Sequence, residues 1–145
     1  MTEKSEKRNL SQLFQTLVEF TDAIHWEMDL KTMRFTYVSP QIEKILGYPP
    51  SHWTTFDSWA RSLYPDDRDW AVDFCKAKVL QAEHHELLYR VVASDDKIVW
   101  LREIVSVISE NGAPAKLIGV MFDVTGQQKT KHALRHSERI YRDLV

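Results

Sequence analysis

Histidines, one cysteine and a few carboxylates are the residues here that could do chemistry, and their spacing sorts them. His132 and His136 stand four apart in a stretch of helical pattern, a spacing that lets two imidazoles share a zinc ion. Ala133, Leu134 and Arg135 lie between them, so there is no intervening glutamate and no third ligand, and no metal site is expected. His84 and His85 are adjacent at the entrance of a strand-like segment, where a neutral imidazole is expected at the surface. An acid–base site, as in a small α+β hydrolase or dehydratase, would draw on His25, Asp29 and Glu103. Strand alternation sends His25 to the face opposite Glu103, so the set does not converge and no catalytic residue is assigned. Cys75 is the single cysteine. No internal disulfide can form, and a reducing cytoplasm is the expected location.

The elements that must position these residues follow from hydrophobic period. The chain has 145 residues, 43% hydrophobic and 11% aromatic, which is one domain with a core of its own. A net charge of −2 with both signs interspersed excludes a phosphate-neutralising face, so no nucleic acid partner is expected. No apolar run is long enough to span a bilayer, and no membrane contact is expected. Leu10, Leu13, Phe14, Leu17 and Val18 predict a helix over 9–22, opened by Asn9 and Gln12. Residues 24–30 alternate with period two, and 34–38 are rich in strand formers, which predicts a hairpin. Pro40 opens a short helix that Gly47 ends. Asp66 or Asp67 is expected to cap a helix over 68–81 whose buried face holds Ala71, Phe74, Ala77 and Lys78. Strands are predicted over 85–93, 97–108 and 115–124, with turns at Ser94-Asp95-Asp96 and Glu110-Asn111-Gly112. The tail from Gly126 is a polar helix with a narrow seam of Leu134, Tyr141 and Val145. The fold class is α+β, a five-stranded antiparallel sheet with short helices on one face and a flanking helix at each end.

In this order of elements, Tyr37-Val38-Ser39-Pro40 and Ile45-Leu46-Gly47-Tyr48 resemble the second strand and first inner helix of PAS domains. Tyr64-Pro65-Asp66-Asp67-Arg68 is similar to the family's His-Pro-Asp-Asp-Arg entry to its long helix, with Tyr64 for the usual histidine. Tyr89-Arg90, Trp100-Leu101-Arg102-Glu103 and Gly119 to Thr125 resemble the last three strands and the Asp-Ile-Thr exit. Asp95-Asp96 stands where the family has Asp-Gly. The resemblance covers roughly residues 10–128. It implies a leader and flanking helix over 1–22, a core over 23–125 and a signalling helix over 126–145. Ser137 to Val145 is similar to the opening helix of another such domain, which implies a tandem array in a longer, multi-domain bacterial protein.

The resemblance also sets the expectations about function. The domain is expected to be a non-catalytic sensory and dimerisation module. Its output domain is expected in cis, a histidine kinase or diguanylate cyclase; a ligand-free interaction scaffold is the alternative, and after it a haem-binding redox or gas sensor. The helix-facing parity of the strands makes Trp26, Met28, Tyr89, Val91, Leu101, Glu103, Val105 and Met121 the ligand-pocket candidates, with Phe74 from the long helix. Glu103 either engages a polar or cationic ligand or, the expected case, pairs with a nearby Arg or Lys. No cofactor is assigned. Flavin photochemistry needs a cysteine within 53–61 and a glutamine where Met121 stands; haem needs a histidine on the long helix or near it, and 66–81 has none, with His84 and His85 just beyond. Asp123, Val124 and Thr125 form the relay, with Thr125 capping the tail helix and Asp123 bonding back into the sheet. Leu13, Phe14, Leu17, Leu134 and Tyr141 are the dimer-helix candidates.

Overall fold

The computed structural model describes residues 12, 13, 16 and 22–144. Among them the order is β1 (Ala23–Asp29), β2 (Arg34–Val38), α1 (Gln41–Leu46), a 3₁₀ turn (Pro50–His52), α2 (Phe56–Ser62), α3 (Pro65–Leu80), β3 (His85–Val92), β4 (Ile98–Glu110), β5 (Ala113–Asp123) and α4 (Thr125–Leu144). The five strands form one antiparallel sheet in the order β2-β1-β5-β4-β3. Most of the predicted helix over 9–22, with Phe14 and Leu17, lies outside the described residues. Leu13 is helical and exposed.

Turn chemistry closes the hairpins. Asn111 and Gly112 both take positive φ (52° and 79°), as a two-residue turn between twisted strands requires. Asp96 takes φ 65° where the family pattern has glycine, and the Asp95 carboxylate accepts the Lys97 N–H at 3.1 Å. Gly47 ends α1 at φ 78°, beneath Ser94, whose N–H donates to the Leu46 carbonyl at 2.8 Å.

The long helix departs from expectation at both its start and its face. It begins at Pro65, with Tyr64 at the N-cap and no side-chain cap. Neither Asp66 nor Asp67 caps it, because proline at the first position removes one orphan donor and Asp67 is engaged elsewhere. The Asp67 carboxylate accepts from the Arg90 backbone N–H (2.9 Å), Nε (2.9 Å) and Nη2 (2.6 Å). The Arg90 guanidinium also lies over the Tyr64 ring at 4.3 Å. This pairing clamps α3 to β3 and turns Asp67, Ala71 and Cys75 inward at i, i+4 spacing, while Ala77 is exposed.

Candidate functional site

One face of the sheet and the inner sides of α1, α2 and α3 enclose the core. Alternation along β1, β3, β4 and β5 sends Trp26, Met28, Tyr89, Val91, Leu101, Glu103, Val105 and Met121 to this face, and all are buried. Within the core is a narrow cavity of about 20 Å³, walled by Trp26, Met28, Phe35, Phe56, Trp59, Cys75, His85, Glu103, Val105, Leu117 and Met121. Five of the nine pocket candidates line it. Tyr89, Val91 and Leu101 are packed around it, and Phe74 stands half-buried against the His85 ring.

Glu103 is fully buried, and no lysine or arginine meets it among the described residues; the expected salt bridge is replaced by indole and phenol. Trp26 Nε1 and Tyr89 Oη each donate to Glu103 Oε2 at 3.2 Å, and Trp59 Nε1 donates to Tyr89 Oη at 3.2 Å. Large aromatics crowd this end of the core, leaving no room for a cation and its hydration. Burial pushes the Glu103 carboxyl up to about 8, against the lowering effect of the Tyr89 and Trp26 hydrogen bonds. Burial and the neighbouring Glu103 raise the Tyr89 phenol and the Cys75 thiol. Cys75 is thus an inert thiol in the wall.

His85 also corrects its expectation: it is buried, not at the surface. Its Nδ1 lies 3.1 Å from the Glu83 carbonyl, and its Nε2 is buried without a hydrogen-bond partner. Burial keeps this imidazole below its ordinary pKa. His84 is exposed, and its Nδ1 accepts the Val107 N–H at 3.1 Å. His132 and His136 are exposed on α4. Asp29 holds its own turn, accepting from the Thr32 N–H and O–H, so Asp29, His25 and Glu103 do not come together.

Sequence reasoning missed Phe35, Phe56, Trp59, Cys75, His85 and Leu117. Strand parity could have found two of them, because His85 shares the parity of Tyr89, and Leu117 that of Met121. Helical period could have found the two aromatics of α2, because Phe56, Trp59, Ala60 and Leu63 stand at i, i+3, i+4 and i+7.

Gly119 faces Trp26 across the β1–β5 pair, and a Cβ built there would fall 2.3 Å from the indole. Gly119→Ala is therefore expected to displace Trp26 and break its bond to Glu103, destabilising the domain by about 2 kcal/mol or more. Urea unfolding followed by tryptophan fluorescence checks this; a loss under about 0.5 kcal/mol would mean the ring moves aside freely.

At the exit of the sheet Asp123 and Thr125 exchange the hydrogen-bonding roles expected of them. Thr125 Oγ1 accepts the Trp100 backbone N–H at 2.9 Å, a bond into the sheet. Asp123 Oδ1 accepts both the Thr125 N–H (3.0 Å) and the Thr125 hydroxyl (2.6 Å), so Asp123 serves the helix start. Val124 supplies the first helical carbonyl, to Gln128. The reason is position: Thr125 is the first helical residue and its Oγ1 is taken by the Trp100 N–H, whereas Asp123, two residues earlier, reaches the Thr125 N–H.

Among known proteins, the family model described as the PAS fold matches residues 35–121. The N-terminal domain of a diguanylate cyclase with PAS/PAC sensor from Marinobacter aquaeolei is 36% identical, with a TM-score of 0.70 over 73% of this chain and 98% of that one. A sensory box histidine kinase/response regulator from Burkholderia thailandensis is 27% identical, with a TM-score of 0.73 over 90% of this chain and 98% of that one. The sensor protein FixL of Bradyrhizobium diazoefficiens is 23% identical over 91% of this chain, which spans 26% of FixL.

Proposed function

The chain belongs to the PAS fold family, and from that premise we propose that it is the sensory input and dimerisation module of a longer signalling protein. The parent is of the histidine kinase or diguanylate cyclase type, and this domain carries no catalysis. The observation that carries the reading is the distance between cavity and exit. Glu103 pairs with Met121 across β4 and β5, and Leu101 pairs with Asp123 on the same two strands. Two residues, roughly 7 Å of strand, separate the buried carboxyl from the joint that holds α4. A shift of β4 against β5 at the cavity therefore reaches Thr125 and Asp123 directly, and through them the direction of α4. The core comprises residues 23–125, with 1–22 and 126–145 as flanking segments.

We read the site as one that holds neither haem nor flavin. Against flavin stand Met121, which offers no amide, and the lack of a cysteine in 53–61; against haem stand a cavity of only about 20 Å³ and an α3 without histidine, His85 being the one imidazole in the cavity wall. On the exposed helix α4, Leu134, Ile140, Tyr141 and Leu144 are exposed apolar side chains in a largely polar surface, which supports a homodimer through this helix. A single, buried cysteine is consistent with the reducing cytoplasm.

The test is Thr125→Ala in the full-length parent, beside Asp123→Ala. Each variant removes two hydrogen bonds at the joint and should cost about 1 kcal/mol, leaving a folded domain. A two-state output responds tenfold to about 1.4 kcal/mol, so enzymatic output should change several-fold with a nearly unchanged melting curve. Sedimentation of the chain with and without 128–145 reports the dimer in parallel. Wild-type output from both joint variants would refute the relay, and a monomer at both lengths would refute the α4 interface.

A further inference from the structure

The cavity holds a hydrogen-bond acceptor with nothing to accept from. The Glu83 carbonyl can only accept, so His85 Nδ1 carries the proton that bonds it. In the neutral ring Nε2 is then a bare lone pair, and it is buried without a partner in the cavity wall. Such a group is rare in a folded protein and loses free energy until a donor reaches it. Across the cavity, both hydrogen bonds that Glu103 accepts fall on Oε2, which leaves the proton of the neutral acid on Oε1. The cavity wall is otherwise apolar, and its two polar residues thus hold one acceptor and one donor.

Its outer wall leads to the surface. Phe56, Cys75 and Leu117 line the cavity and also line an open groove of about 410 Å³, walled further by Leu30, Val79 and Pro114. Apart from Lys76 the groove is apolar, and it is of the size that small ligands occupy. Cavity and groove together describe a molecule with a small polar head and an apolar body.

Building on the sensory reading above, we propose that the domain binds an uncharged amphiphile whose terminal hydroxyl donates to His85 Nε2 and accepts from Glu103, with its hydrocarbon body in the groove past Phe56. A hydroxyl is the smallest group that both donates and accepts, and it fits a cavity of about 20 Å³. A carboxylate brings no donor for Nε2 and would bury a charge beside a carboxyl; an ammonium would be stripped of its hydration among aromatics. A single water is the competing occupant, since it too could donate to Nε2.

The experiment titrates the isotope-labelled chain with 1-hexanol, 1-fluorohexane and hexanoate, following the His85 Nε2 nitrogen resonance. Hexanol should move that resonance saturably in the direction of an accepted hydrogen bond. It should bind about tenfold more tightly than 1-fluorohexane, and hexanoate should not enter. In His85→Phe the preference for the alcohol should fall below about threefold while both neutral probes still bind. Equal affinity of alcohol and fluoride for the wild type, or saturable binding that leaves Nε2 unmoved, would overturn the donor requirement. Absence of binding by all three probes would overturn the proposal in favour of water. The wild-type resonance decides the matter even where His85→Phe does not fold. The relay is tested separately by the Thr125 output, so either reading can fail alone.

Discussion

Glu103→Gln is expected to make the domain more stable than the wild type at pH 8 and less stable at pH 4. Burial raises the folded-state pKa of Glu103 from 4.5 to about 8. Below pH 4.5 the carboxyl is protonated folded and unfolded alike, and its hydrogen bonds to Trp26 and Tyr89 are intact. Between 4.5 and 8 the unfolded chain releases this proton and the folded one keeps it, so wild-type stability falls as pH rises. Each unit of separation is 1.36 kcal/mol, so the loss across this window is on the order of 4 kcal/mol. Glutamine has no such proton. Its carbonyl can accept from Trp26 and Tyr89, but its second amide hydrogen has no assured partner, which makes it the weaker residue in acid. His25 and His85, both held below the ordinary histidine pKa by burial, lose stability below pH 6.5 in both proteins, so their effect cancels in the difference. Urea unfolding of both proteins from pH 4 to 8 measures it. A difference that stays flat across the range would mean that Glu103 ionises in the fold with an ordinary carboxylate pKa.

Asp67→Ala should lose about 3 kcal/mol. Removing one partner of a buried, hydrogen-bonded pair typically costs about 3–5 kcal/mol because the other is stranded. The loss is set at the lower end because the Arg90 side chain is 27% exposed and can recover water. The Arg90 backbone N–H is stranded as well, since Asp67 is its acceptor. Asp67→Asn should recover about half, keeping a side-chain oxygen for that N–H while losing the charge. The pH profile gives a second signature. The hydrogen bonds from Arg90 hold the Asp67 carboxyl below its usual range, so this stabilisation is present above pH 3.8 and is lost as pH falls through the lower folded value. Asp67→Ala should therefore flatten the acid limb of the stability curve. A melting temperature within 2 °C of wild type, roughly 0.5 kcal/mol for a domain of this size, would show that β3 holds α3 without this clamp.

The two residues with these effects differ in how legible they were. Glu103 stood out in sequence because period two placed a carboxylate in an otherwise apolar row of Leu101 and Val105. Its partners did not, because Trp26 lies 77 positions away and only the β1–β5 and β4–β5 pairings bring the two together. Asp67 read as a helix cap because aspartate before an apolar helix usually is one; its true partner, Arg90, is on a strand 23 positions later. His85 read as surface because nothing local distinguishes a histidine at the sheet edge from one roofed by Phe74. Thr125 and Asp123 were found as a pair with their roles exchanged, since a one-residue difference in where α4 begins decides which side chain faces the free amide.

Local pattern determined what local physics controls: strand and helix segments from period, turns from Asn111-Gly112 and Gly47, and the family resemblance that follows from their order, which in turn chose the buried parity of β1, β3, β4 and β5. The tertiary structure alone decided the insertion of β5 beside β1, the neutral indole–phenol–carboxyl chain, the clamp between α3 and β3, and the unpartnered nitrogen of His85. Each of these depends on contacts between residues far apart in sequence, whose side chains meet only after the sheet has closed and water has been removed. A sequence shows which groups are polar, but burial and the identity of the partner determine their charge and what they can bind.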